Sequence, residues 1–276
     1  MKLTKPMTAI LSIIGLLIII LVIGKINLSI KFRKEVKELF SQSKNISDNK
    51  FSYQRLADLP EPVRRYFKYA LKDGQPYISY ARITHEGQFK TGLDKNWINI
   101  KGEQYATTEK PGFIWKGTTA MFIARDMYIG NKGRLVVSLF SLFKVANAKG
   151  EQYNQGELLR WLGESILYPT NLLPSERLQW LPIDSNSARL TFNYNGLSLF
   201  FIITFNDVGE IIQMETKRYM DKTTLATWVI KCADYKQMNN VMVPLSFDVL
   251  WRLEKGDFSY AKFNIKKIEY DKAEMF

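Results

Sequence analysis

Hydrophobic positions along the chain follow three successive patterns. Residues 6–24 read PMTAILSIIGLLIIILVIG, a run of nineteen with no charge between Lys5 and Lys25, about 28 Å of helix at about 1.5 Å per residue. That length matches a hydrocarbon core of about 30 Å. A helical period follows at Val63, Tyr66, Phe67, Ala70 and Leu71, opened by Leu59-Pro60-Glu61-Pro62 and stopped at Asp73-Gly74, which predicts a helix over 60–71. From there the period is two: aromatic and β-branched runs at 77–90, 97–107, 113–123, 126–129 and 134–140 are separated by turn residues and read as antiparallel strands.

A second helix is predicted over 156–167. Leu158, Leu159, Leu162 and Ile166 share one face and Glu157, Arg160 and Glu164 the other, before Pro169 ends it. The last hundred residues form a meander of strands at 189–194, 197–205, 210–219, 225–237, 241–253 and 258–270. Asn195-Gly196 is its strongest hairpin signal. The predicted class is mainly β (α+β): about ten strands are too many for a flat sheet, so the sheet is expected to curl into a half-barrel. The two helices are its only available cover, and incomplete cover leaves an apolar cavity. The organisation expected is a transmembrane helix over 6–24, a basic juxtamembrane linker over 25–50 and a β half-barrel domain over 51–276.

Charge changes this picture little. The chain carries 39 basic and 27 acidic residues, net +12, but nine of the basic residues and only three of the acidic ones lie in the first fifty. The excess therefore concentrates at the apolar run, the rest is interspersed, and nucleic acid is not an expected partner. Phe32, Val36, Leu39 and Phe40 have helical spacing among lysines and arginines, which fits either a helix along the headgroups or a solvated linker helix. The apolar run exits through Leu21-Val22-Ile23-Gly24 rather than small alternating residues, which favours an uncleaved single-pass anchor over a signal peptide. Basic residues after the span favour a cytoplasmic domain. The very short N-terminal tail and the fold resemblance given below favour the extracytoplasmic side, which is the expected one.

The candidate chemistry is sparse. One cysteine, Cys232, and one histidine, His85, exclude an internal disulfide and the usual zinc sets, and no Gly-rich phosphate loop follows a strand, so neither metal nor cofactor is expected. Arg160 and Glu164 lie four apart on the second helix, either as a surface pair or facing a groove where Arg160 would meet an anionic group. Arg218 is expected at the mouth of that groove, with His85 and Asp126 as further polar candidates. Trp115 and Trp161 fit a cavity wall as well as a closed core.

The stretch LLRWLGESILYPTNLLP at 158–174 resembles a family of bacterial and archaeal single-span proteins known only as a domain of unknown function. Leu59-Pro60 with Arg64, Tyr66 and Phe67, His85-x-Gly87, Pro111-Gly112-Phe113 with Trp115, Arg125-Asp126, Ala188-Arg189, Trp228, Pro244 and Trp251 fit the same pattern. The likeness runs from about residue 55 to 270 and brings no activity with it. The order helix, strands, helix, long meander is also similar to the half-barrel of LolA-like lipoprotein carriers and related periplasmic lipid-binding domains.

Three functions from different classes are open at this point. The first is a membrane-anchored module holding a lipid or other apolar ligand in the concavity of the sheet, with Arg160 and Arg218 at the mouth. The second is a hydrolase or transferase using His85, Asp126 and Glu164, which must then converge within hydrogen-bond reach. The third is a scaffold or sensor that binds a protein through an exposed apolar patch.

Overall fold

The computed structural model of the protein describes residues 5–43 and 45–276; Lys2 and Lys44, two of the nine basic residues among the first fifty, lie outside them. The alternating runs form thirteen strands: β1 Tyr80–Phe89, β2 Ile98–Thr107, β3 Gly112–Thr118, β4 Phe122–Ile129, β5 Lys132–Leu139, β6 Phe143–Lys149, β7 Leu178–Pro182, β8 Ser187–Tyr194, β9 Leu197–Phe205, β10 Ile211–Tyr219, β11 Leu225–Met238, β12 Val241–Leu253 and β13 Gly256–Tyr270. They make one antiparallel sheet in the order β6-β5-β4-β3-β2-β1-β13-β12-β11-β10-β9-β8-β7. Two meanders are therefore joined where β1 pairs with β13, Ala81 opposite Tyr270 and Phe89 opposite Ala261. The sheet curls without closing, as β6 and β7 do not pair with each other. The tight turns carry the residues such turns need: Asn195 and Gly196, like Asn239 and Asn240, all have positive φ.

The expectation of about ten strands is corrected to thirteen. The run at 113–123 divides into β3 and the start of β4, with a turn whose Thr119 hydroxyl accepts the backbone N–H of Phe122 at 3.0 Å. The edge strands β6 and β7 were not anticipated.

The curl encloses two helices. On α2, Glu61–Ala70, the residues Val63, Tyr66, Phe67 and Ala70 are buried, with Phe67 edge-on to Trp180 at 6.3 Å and Tyr66 6.0 Å from Phe205. α3, Glu151–Glu164, starts five residues before the expected position and continues into short 3-10 turns at Ser165–Leu167 and Pro169–Leu172. Its Leu158, Leu159, Trp161 and Leu162 join the same core, which lies between the helices and the inner face of the sheet.

The segment after the apolar run differs from the linker expected over 25–50. One helix, α1, runs unbroken over Lys5–Ser41. Its second half packs on the outer face of the sheet, where Phe32, Val36 and Leu39 form a separate small core with Tyr105, Ile114 and Met127. Arg125, 1 % exposed, pairs with Glu35 of the helix, and the Gln42 side chain accepts the backbone N–H of Gly130 at 3.1 Å. The apolar spacing of 32–40 thus meets a protein surface, neither headgroups nor water. The first half of α1 is exposed throughout apart from partly covered Gly15, and it is long and apolar enough to cross a membrane.

Candidate functional site

Between α3 and the inner face of the sheet lies an open cavity of about 750 Å³. Alternation decides its lining: on β3 and β4, residues 113, 115, 124 and 126 face inward while 114, 116, 125 and 127 face α1. Ile83, Ile100, Trp115, Ala124, Val249 and Phe263 represent a wall that is mostly aliphatic and aromatic. Trp115 and His85 make one plane of that wall. The Trp115 indole N–H donates to His85 Nε2 at 2.7 Å and the two rings are nearly parallel, 2° apart. His85 has Gly102 directly opposite it on β2, and a Cβ there would collide with the imidazole ring. With Nε2 accepting, His85 is neutral and carries its proton on Nδ1. Burial, then the nearby Arg160 charge, push its pKa down to about 3.

One side of the cavity is charged. Arg160 on α3 bridges two carboxylates, with Nη1 2.6 Å from Asp126 Oδ2 on β4 and Nε 2.8 Å from Glu164 Oε1. Gln104 on β2 donates to Glu164 Oε2 at 2.7 Å. The Arg160 guanidinium also lies 4.8 Å from the Trp115 ring centre. A second pair sits one turn back on α3, where Glu157 Oε1 is 3.4 Å from Arg218 Nη2 of β10, and Arg218 in turn covers Trp228 at 4.5 Å. Both guanidinium groups thus lie over tryptophan rings, within cation–π range.

Three carboxylates against two guanidinium groups leave one negative charge in excess if all are ionised. Desolvation, then the neighbouring Asp126, push Glu157 up to about 8, which makes it the group that stays protonated at neutral pH. Burial also raises Asp126, against the pull of Arg160. Burial works against the Arg160 charge, but Glu164, Asp126 and Glu157 outweigh it and raise its pKa. Among the described residues, Asp126 Oδ1, Glu157 Oε2, Arg218 Nε and His85 Nδ1 are buried without a hydrogen-bond partner. The cluster therefore holds itself together while keeping free donor and acceptor capacity, which is what a polar group of a ligand would use.

Of the residues expected at a site, Arg160, Glu164, Arg218, His85, Asp126 and Trp115 all line this one cavity. Trp161 does not: it points into the core, and its indole N–H donates to the Thr107 carbonyl at 2.9 Å. Glu157 and Gln104 were missed as site residues. Glu157 had been visible on the polar face of α3, but nothing in the sequence tells whether that face meets solvent or a cavity. The hydrolase or transferase alternative needs His85, Asp126 and Glu164 joined. Among the described residues none of the three hydrogen-bonds another, because Arg160 holds the two acids and Trp115 holds the histidine.

Fold and site define a class of protein: a single curled antiparallel sheet with internal helices and an apolar hollow between them. Within that class the chain belongs to the family of unknown function DUF6544, over residues 49–263. No curated protein matches it. Among solved structures it is similar to a LolA superfamily protein from Nitrosomonas europaea, at 11% identity and a TM-score of 0.43, covering 76% of this chain and 92% of that one. A putative outer membrane lipoprotein-sorting protein domain from Vibrio parahaemolyticus matches at 12% identity and a TM-score of 0.40, over 70% and 85%. A DUF1329 family protein from Desulfovibrio piger matches at 9% and 0.33, over 87% and 93%.

Proposed function

We propose that the protein is a membrane-anchored binding module that holds one amphiphile, a lipid or a lipid-like molecule, inside the curled sheet. The carrying observation is the cavity of about 750 Å³ with a predominantly apolar wall and a buried charged cluster on one side. A volume in the range of about 300–1,000 Å³ suits a small-molecule or acyl-chain ligand. The apolar body lies against Trp115, Trp251, Phe247 and Phe263, and the polar group meets Arg218, Glu157 and Asp126. Since Arg160 already has two carboxylate partners, Arg218 is the guanidinium with capacity left for an anionic or carbonyl oxygen.

The anchor in this reading is residues 6–24, and the helix that carries it is docked on the domain through Phe32, Val36 and Leu39. This bears on how binding is tested. Cutting the chain at residue 50 would expose Tyr105, Ile114 and Met127, so the full chain in detergent or nanodiscs is the proper sample. Displacement of a fluorescent fatty acid from the full chain is expected, and Arg218→Met should weaken it about tenfold or more, in line with loss of a charge-assisted hydrogen bond. No probe bound by the parent chain would contradict the reading.

A further inference from the structure

The direction of α1 along the sheet says where the cavity opens. Its C-terminal end lies at the base of the sheet, with Leu39 beside Gly112 and Gln42 bonded to Gly130. Its middle crosses β3 and β4 through Phe32 near Lys116 and Glu35 on Arg125. At the opposite end, Gly24 meets the β5–β6 turn so closely that a Cβ on it would lie 2.5 Å from Leu142 Cδ2. Gly24 is also the last residue of the uncharged run. The apolar half of α1 therefore leaves the domain at the tips of the β3–β4 and β5–β6 hairpins, and Leu142 stands level with the end of the hydrocarbon-compatible stretch.

The cavity opens at that same end. Its outer lining comes from Leu93 in the β1–β2 loop, Phe122 and Leu139 beside the β3–β4 and β5–β6 turns, Val145 on β6, and Met220 after β10. The β3–β4 and β5–β6 tips and the start of β6 are apolar without being covered: Phe143 is 63 % and Val145 60 % exposed, with Met121 and Phe140 also exposed. Leu93 and Leu225 are exposed as well, but in turns that also carry Lys90, Thr91 and Asp221 at the mouth. The turns at the base of the sheet are formed mainly by polar residues, Glu109-Lys110, Asn131, Asp184-Ser185-Asn186, Asp207 and Asn239-Asn240, with Val208 and Ile183 as exposed apolar exceptions. Phe140 and Phe143 flank the turn that Gly24 meets, and Lys144 follows Phe143 as Lys25 follows Gly24 in the chain. Exposed aromatic and aliphatic side chains with adjacent lysines, at the depth where a transmembrane helix ends, are the composition of an interfacial contact.

We infer that the hairpin tips around Phe140, Phe143 and Val145 insert into the membrane that anchors the chain, so that the cavity opens directly onto the lipid surface and exchanges its ligand with the bilayer instead of with water. This inference rests on the anchor reading above. The occupant of the apolar rim is lipid, because the helix that brings the rim to its position ends its own apolar run against it.

The test uses the full chain, with Cys232→Ala removing the native thiol, in phosphatidylcholine–phosphatidylglycerol vesicles containing doxyl-labelled lipid. An environment-sensitive fluorophore is placed singly by Phe143→Cys at the rim, Val208→Cys at the base, and Ile14→Cys in the apolar run. The expected result is doxyl quenching and a blue shift at 14 and 143, with neither at 208. Quenching at 14 without quenching at 143 overturns the rim insertion and leaves the anchor standing. Quenching at neither position overturns both. A blue shift at 143 without lipid quenching assigns the rim to a protein partner or a second copy and also overturns the inference. In the same vesicles, Phe140→Ser with Phe143→Ser should slow transfer of a fluorescent fatty acid from lipid into the protein at least fivefold. Equilibrium binding in detergent should stay unchanged, since neither side chain belongs to the cavity wall. Unchanged transfer overturns the inference.

Discussion

At the scale of single residues, the charged patch makes stability depend on pH in two opposite ways. Glu157 is raised to about 8 in the folded chain, so on unfolding it releases its proton at any pH between its ordinary value near 4.5 and about 8. Its contribution is complete below about 4.5 and is lost as pH rises through about 8. His85, lowered to about 3, has the reverse dependence: the unfolded chain takes up a proton below about 6.5 that the folded chain refuses. Its contribution is complete above about 6.5 and is lost as pH falls toward 3. Denaturation by urea across this range should show a plateau of stability between about 4.5 and 6.5 with declines on both sides. Glu157→Gln is expected to remove most of the alkaline decline, and His85→Gln most of the acid one. A decline unaltered by either substitution would refute the assignment of that proton.

Arg160 is the most consequential side chain in the patch. Arg160→Met leaves Asp126 and Glu164 without their cation, and breaking such a partly buried pair should cost about 3–5 kcal/mol in urea denaturation. Adding Asp126→Leu should recover part of that loss, because the uncompensated charge goes with the partner. Little of this was readable from sequence. The i, i+3, i+7 placement of Glu157, Arg160 and Glu164 showed a common face, but the same spacing describes a solvated helix. Only the fold turns that face inward, toward Asp126 and Arg218.

At the scale of elements, legibility followed periodicity. The strands with strict alternation, such as β12 with Leu245, Phe247, Val249, Trp251 and Leu253, were found where expected, as was the Asn195-Gly196 hairpin. β6, with its sequence FKVANAK, was missed because an edge strand with both faces largely exposed has no alternation to show. The β3–β4 boundary was missed because Thr119-Ala120-Met121 lacks glycine and proline. The second half of α1 was visible as a helix, but its partner was not, since Tyr105, Ile114 and Met127 face outward on strands whose opposite face is equally apolar. Arg125 and Asp126 show the same effect in two consecutive residues: one holds α1 on the outer face, the other holds Arg160 on the inner. Phe32→Ala should therefore destabilise the domain by about 3–5 kcal/mol, measured by thermal unfolding in detergent. A change below about 0.5 kcal/mol would mean that α1 is not docked on the sheet.

At the scale of the molecule, curvature of a thirteen-stranded sheet provides an interior that two helices fill only in part, and the second half of α1 lies along the outer wall of that same interior. The half-barrel class and the possibility of an unfilled hollow were both readable from the number of strands against the number of covering helices. The position of the opening was not, because it depends on how α1 runs against the sheet, a long-range contact with no signature in local sequence. The whole account depends on the hollow being a ligand site. Native mass spectrometry of the full chain released from nanodiscs tests this most directly, comparing the parent with Ala124→Phe, which places a ring inside the cavity. The account predicts an added mass of one amphiphile per parent chain that Ala124→Phe abolishes while thermal stability is kept. A bare mass for the parent chain, or an adduct equally abundant in Ala124→Phe, would contradict it.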